Sequence, residues 1–105
     1  MNRKCAISSC ENTSLLIASH IKPWRECQNK ERIDPYNGLL LLPTFDKLFD
    51  QGLISFTNNG VIMISEQILS YYKLLGLAID TIIHVDPKQH KYLEYHRENI
   101  FKKKK

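Results

Sequence analysis

Asn59 and Gly60 stand between two apolar runs, LISFT (53–57) and VIMIS (61–65), and no other feature of the chain restricts its fold as much. Asn-Gly is the favoured pair for a tight hairpin turn, because both residues tolerate the positive φ values that ordinary side chains resist. Runs of alternating apolar and small polar residues on either side read as strands. An antiparallel hairpin is therefore predicted over about 53–65.

The remaining segments fall around that hairpin. SLLIASHI, 14–21, is a strand candidate, and GLLLLP, 38–43, has the signature of a short buried strand. The polar stretch between them, KPWRECQNKERIDPYNG with two prolines, reads as a loop. TFDKLFDQG reads as a helix with Thr44 near its N-cap and Gly52 as its stop. Two packing helices are expected farther on. One covers about 66–76 with Ser65 as cap, and one covers about 87–101 with Asp86 as cap and Pro87 at the first helical position. There is no internal repeat, so the expectation is one α+β domain over 1–105.

Composition agrees with a folded chain, at 43% hydrophobic and 25% charged residues. Fifteen Lys and Arg against eleven Asp and Glu leave a net charge of +4, which suits an anionic partner such as a phosphate backbone. The terminal Lys102–Lys105 run supplies four of these charges and reads equally well as a solvated tail. The three cysteines, Cys5, Cys10 and Cys27, form no C-x-x-C pair, which argues against a zinc knuckle. MNRKCAISSC at the start lacks a long apolar core, and no window approaches the roughly 18 apolar residues of a membrane span. A reducing cytoplasm is the expected compartment, and no membrane partner is expected.

Two features bear on chemistry. His20 interrupts the apolar stretch LIASHIKPW, where a strand-end histidine is either a satisfied structural residue or a reactive one. In the helix after Pro43, Phe45, Leu48 and Phe49 share an apolar stripe, while Asp46 and Asp50 lie beside it about 40° apart at 3.6 residues per turn. Like charges at this spacing cost about 0.2–0.5 kcal/mol. A surface helix tolerates that, with Lys47 available to Asp50, and a bound cation would remove it.

Taken together, a strand ending in His, a loop, an Asn-Gly pair, a second strand and a helix with carboxylates resemble the HNH nuclease family. The resemblance covers 14–56, and the string ASHIKPW, ERIDPYNGLLLLP, DKLFDQGLISF is similar to a branch found in restriction and defence nucleases. It implies a ββα-metal (His-Me finger) core over about 14–52, followed by the hairpin and the two helices. It also implies a catalytic His20 that activates water, and an Asn37 that braces the loop. The family usually places a metal-ligand His nine residues after that Asn, which lands here on Asp46, with Asp50 four residues later.

On this resemblance the chain would hydrolyse DNA phosphodiester bonds with one divalent metal. An imidazole, with its ordinary pKa of about 6.5, can take a proton from water near neutral pH. Oxygen ligands favour Mg²⁺ or Mn²⁺, with Ni²⁺ a further candidate. Lys22, Arg25 and Arg32 flank the site and would contact phosphate without reading sequence, Arg32 being the preferred clamp; a solvated loop face is the plain alternative for each. Trp24 and Tyr36 are read as packing the loop.

The chain also departs from the family. Ser19 stands where many relatives carry a metal-binding Asp or His. Either its hydroxyl meets the metal through water, or Asp46 and Asp50 hold the ion with water and substrate phosphate alone. Leu42 and Phe45 stand where zinc-stabilised relatives carry knuckle cysteines, so no structural zinc is expected, and Cys5 and Cys10 read as small hydrophobes. His84, His90 and His96 receive no chemistry, and Lys88, Lys91 and Arg97 read as a solvated face. A finger that has lost catalysis and serves as a DNA-binding or protein-interaction module is the competing class. Homo-oligomerisation and further domains of a larger restriction or phage-defence protein are compatible with the sequence.

Overall fold

The computed structural model describes residues 3–103, so Lys104 and Lys105 of the basic tail and the first two residues lie outside the described residues. Within it, β1 (Ile17–His20) pairs antiparallel with β2 (Gly38–Leu41), setting Ile17 opposite Leu41 and His20 opposite Gly38. A second antiparallel pair joins β3 (Ile54–Phe56) to β4 (Ile62–Ile64). Between the connected strands lie α1 (Asn29–Arg32) and α2 (Pro43–Asp50), and α3 (His90–Asn99) closes the chain. The architecture is α+β.

α2 packs against both strand pairs, and its stripe of Phe45, Leu48 and Phe49 is buried, as the 3.6-residue period requires. The same core holds Ile21 just after β1, Leu39 and Leu41 of β2, Ile54, Phe56 and Ile62 of the second pair, and Tyr92 and Leu93 of α3.

Several local outcomes differ from the sequence expectation. In the hairpin only Gly60 has positive φ (83°); Asn59 does not. The turn is closed by the Gly60 N–H donating to the Thr57 carbonyl at 2.9 Å, a longer connection than a two-residue turn. Strand β1 starts at Ile17, because Asn12 accepts the Ser14 N–H and caps a 3₁₀ turn over Thr13–Leu15. The connection after His20 holds a 3₁₀ turn, Trp24–Glu26, and α1, which a reciprocal Gln28/Glu31 capping box starts.

Helix α2 begins one residue before the expected cap. Leu42 is the N-cap and Pro43 occupies the first turn, where its fixed φ is already helical and its missing N–H costs nothing. Lys47 makes no ion pair with Asp50; among the described residues the ion pair present is Lys22–Glu31. The helix expected over 66–76 is instead two 3₁₀ helices, Glu66–Ile68 and Tyr72–Leu75, because Tyr71 at φ −142° leaves the helical region between them. Leu69 and Leu74 are exposed there, so no continuous apolar stripe holds a longer helix. Asp86 caps a 3₁₀ turn, Pro87–Gln89, that runs directly into α3.

Candidate active site

His20 is the last residue of β1 and is exposed, whereas Ser19 before it is buried, as strand alternation dictates. The two side chains therefore leave opposite faces of the strand. The His20 ring meets Trp24 edge to face at 5.8 Å between centroids. Its Nε2 lies 3.4 Å from the Arg32 carbonyl oxygen. A carbonyl only accepts, so in the neutral ring this contact selects the tautomer with the proton on Nε2 and the lone pair on Nδ1.

Asn37 is buried at the entrance to β2, where its side chain gathers the connecting loop. Its Oδ1 accepts the Lys22 N–H at 2.8 Å. Its Nδ2 lies within hydrogen-bond reach of the Lys22 carbonyl, the Cys27 Sγ and the Glu31 carbonyl at 3.3–3.4 Å. The buried Cys27 thiol in turn donates to the Lys22 carbonyl at 3.3 Å. Glu31 accepts the Gln28 N–H at 2.8 Å and pairs with the Lys22 ammonium at 3.1 Å, and these two contacts hold its carboxyl below the ordinary range.

Asp46 and Asp50 lie on α2, Asp46 half-buried in its first turn and Asp50 exposed at its last residue. Neither side chain has a hydrogen bond or ion pair among the described residues. Nor do three or more His, Cys, Asp or Glu side chains gather there, or elsewhere among the described residues, into a metal-holding group. His20, Asp46 and Asp50 thus form no three-ligand set. Asp46 and Asp50 offer oxygen donors alone, the ligand type that hard divalent cations take.

The flanking cations differ in their freedom. Arg32 donates from Nε to the Trp24 carbonyl at 3.0 Å, and its guanidinium lies 4.5 Å from the centre of the Trp24 ring. Lys22 is held between Glu31 and the Tyr95 ring, while Arg25 is exposed on its 3₁₀ turn. Sequence reasoning missed Cys27 and Glu31 as partners of Asn37. The Gln28-x-x-Glu31 spacing was a readable sign of the capping box, but nothing local announces a thiol bonded to a carboxamide ten positions away.

The α+β chain thus carries an exposed imidazole at the end of β1, a loop tied together by Asn37, and two carboxylates on α2. The family model described as HNH endonuclease matches residues 5–57, and the chain belongs to the HNH endonuclease family. That membership supports nuclease-type activity on DNA, in a family that generally uses a divalent metal. No curated protein matches the chain. Among the described residues no helix is long and apolar enough to cross a membrane.

Proposed function

We propose that this protein is a metal-dependent DNA endonuclease built on a ββα-metal finger, with His20 as general base. The observation that carries the reading is the His20 ring, whose Nε2 is engaged by the Arg32 carbonyl while Nδ1 has no hydrogen-bond partner among the described residues. Nδ1 would take a proton from the attacking water, and the imidazolium would keep its Nε2–H on the carbonyl. Asn37 would keep the loop that carries that carbonyl in place. Asp46 and Asp50 would hold one Mg²⁺ or Mn²⁺, with Ser19 taking part only through water. A cation bound there supplies neutralisation of phosphate charge and stabilisation of the leaving oxygen. Arg25, Arg32 and Lys22 would grip the phosphate backbone, Lys22 by exchanging Glu31 for phosphate. The 14–56 string favours a place in restriction or phage defence.

Plasmid nicking with Mg²⁺, Mn²⁺ or Ni²⁺ tests the proposal. His20→Ala should lower the cleavage rate by about 10²–10⁴-fold, the range general-base catalysis contributes. Equal cleavage by wild type and variant would remove His20 from that role. A second reading, a DNA-binding module without catalysis, is favoured by the lack of a three-ligand group among the described residues. It predicts salt-dependent DNA affinity with no metal-dependent nicking.

A further inference from the structure

The loop that separates His20 from Asn37 is held by polar contacts and buries little apolar surface of its own. Of residues 21–37 only Ile21, Cys27 and Asn37 are buried, and segments with so little apolar burial open easily. Yet the loop carries the Arg32 carbonyl that engages His20.

Its outer side rests on α3 and the turn that leads into it, which lie beyond the family-matched residues 5–57. The buried Tyr92 donates from Oη to Asp34 Oδ2 at 2.6 Å, and the other oxygen of that carboxylate accepts the Tyr36 N–H at 2.9 Å. The Asp34 carbonyl then accepts the Asn37 N–H at 3.0 Å, so this anchor sits three residues from the Asn37 hub. Gln89, also buried, donates from Nε2 to the carbonyl of Gly38, the residue paired with His20 across the strands. At the front of the loop Tyr95 donates from Oη to Glu26, and the Lys22 ammonium lies 4.8 Å from the centre of the Tyr95 ring.

The same helix is fixed to the core along the stripe that carries Tyr92. Leu93 is fully buried, and His96 bonds the Phe49 carbonyl of α2 and the Ser55 hydroxyl of β3. Leu93 and His96 thus fix the helix to the core, while Tyr92 and Tyr95 beside them, with Gln89 in the preceding turn, reach the loop at its end, its front and the strand residue opposite His20.

We propose that α3 is the positioning strut of the active site, and that Tyr92 and Tyr95 are positioning residues that keep the Arg32 carbonyl on His20 Nε2. The proposal rests on the nuclease reading for its kinetic consequence, but not for its structural one. Geometry errors of about 1 Å at a reacting group can cost about 10²-fold in rate. Removing two loop anchors should therefore slow the chemical step by more than it weakens the phosphate contacts that Lys22, Arg25 and Arg32 make from the same loop.

The experiment compares the full chain with Tyr92→Phe, Tyr95→Phe and the double variant by two measurements. Ring ¹⁵N NMR of His20 reads which nitrogen holds the proton and needs no activity. The wild type should show the Nε2–H form, and the double variant a mixture of both tautomers. Single-turnover nicking should show kcat reduced at least tenfold in the double variant, with a smaller change in KM. Should Tyr92→Phe fail to fold, Tyr95→Phe, which alters a surface contact, carries the test with a smaller loss of the same kind. Unchanged His20 ¹⁵N shifts in a folded variant would overturn the proposal. So would an unchanged kcat, or a fall in kcat/KM that lies wholly in KM. If the wild type does not nick DNA, the nuclease reading fails, and the ¹⁵N shifts alone decide whether α3 positions His20.

Discussion

His96 lies flat on Phe49, with ring centroids 3.9 Å apart and planes 5° from parallel, and its Nε2 bonds the Phe49 carbonyl at 2.8 Å. The carbonyl only accepts, so Nε2 holds the proton and Nδ1 accepts from the Ser55 hydroxyl at 2.8 Å. A neutral imidazole satisfies both partners. A protonated one could donate to both once the hydroxyl hydrogen rotates away, so it is burial and not the hydrogen bonds that disfavours the charge. The stack joins α3 to the end of α2 and to β3, the three elements that frame the core on this side.

The first prediction follows from that contact and concerns pH. Burial pushes the His96 pKa down from 6.5 to about 4, with Arg97 acting in the same direction and the Phe49 carbonyl and Asp50 opposing. The unfolded chain therefore binds more protons than the folded one between these values, and stability rises with pH across that window. The contribution is complete above about pH 6.5 and lost as pH falls toward 4, amounting to about 3 kcal/mol at 1.36 kcal/mol per unit. Urea unfolding from pH 4 to pH 7 should show this slope, and His96→Gln should flatten it while lowering stability at pH 7. Superimposable wild-type curves at the two ends would contradict a neutral His96.

Replacing Asn37 strikes the loop directly. Asn37→Ala leaves the Lys22 N–H and the Cys27 thiol without the carboxamide and should cost about 1–3 kcal/mol, the range for an unsatisfied buried group. Amide exchange at Lys22 should speed up more than exchange within the second strand pair. Equal protection of Lys22 in variant and wild type would show that the loop holds without the carboxamide.

The carboxylates of α2 give opposite expectations for stability and for metal. Without metal, Asp46→Asn combined with Asp50→Asn should raise stability slightly, by about 0.2–0.5 kcal/mol, because like charges at i, i+4 are removed. Isothermal titration should show one Mg²⁺ or Mn²⁺ per wild-type chain and none for the double variant, and a chelator should stop nicking. Metal binding that survives both substitutions would move the site away from α2.

Glycine positions provide a test of packing. A Cβ on Gly52, at φ 71°, would sit 2.0 Å from the Ile100 carbonyl oxygen, where the chain returns beside the end of α2. Gly52→Ala should therefore cost more than the roughly 1–2 kcal/mol of left-handed backbone alone. Gly38→Ala meets its nearest atom at 3.6 Å and should cost less than about 1 kcal/mol. Thermal melts of the two variants distinguish them, and similar losses would mean that the approach of Ile100 is not rigid.

Much of this was readable residue by residue. The apolar stripe of α2, the strands on either side of Asn59-Gly60, and the caps at Ser65 and Asp86 all rest on interactions within a few positions, where side-chain chemistry acts on its own backbone. Other features were not readable because they depend on neighbours distant in sequence. The 66–76 segment has helix-forming residues but no continuous surface to bury them against, so it breaks at Tyr71. Tyr92 and Asp34 are 58 positions apart, and neither residue announces the other.

The candidate site divides along the same line. The order of His20, Asn37, Asp46 and Asp50, and the strand and helix that carry them, follow from the sequence, because spacing and period decide which residues end a strand or share a helix face. Which groups His20 and Asn37 meet was decided by the folding of the connection between them, and the bonds that tie this connection to Tyr92 and Tyr95 form only where α3 docks. Those are hydrogen bonds across the fold, and their geometry exists only once the core has brought the two ends of the chain together.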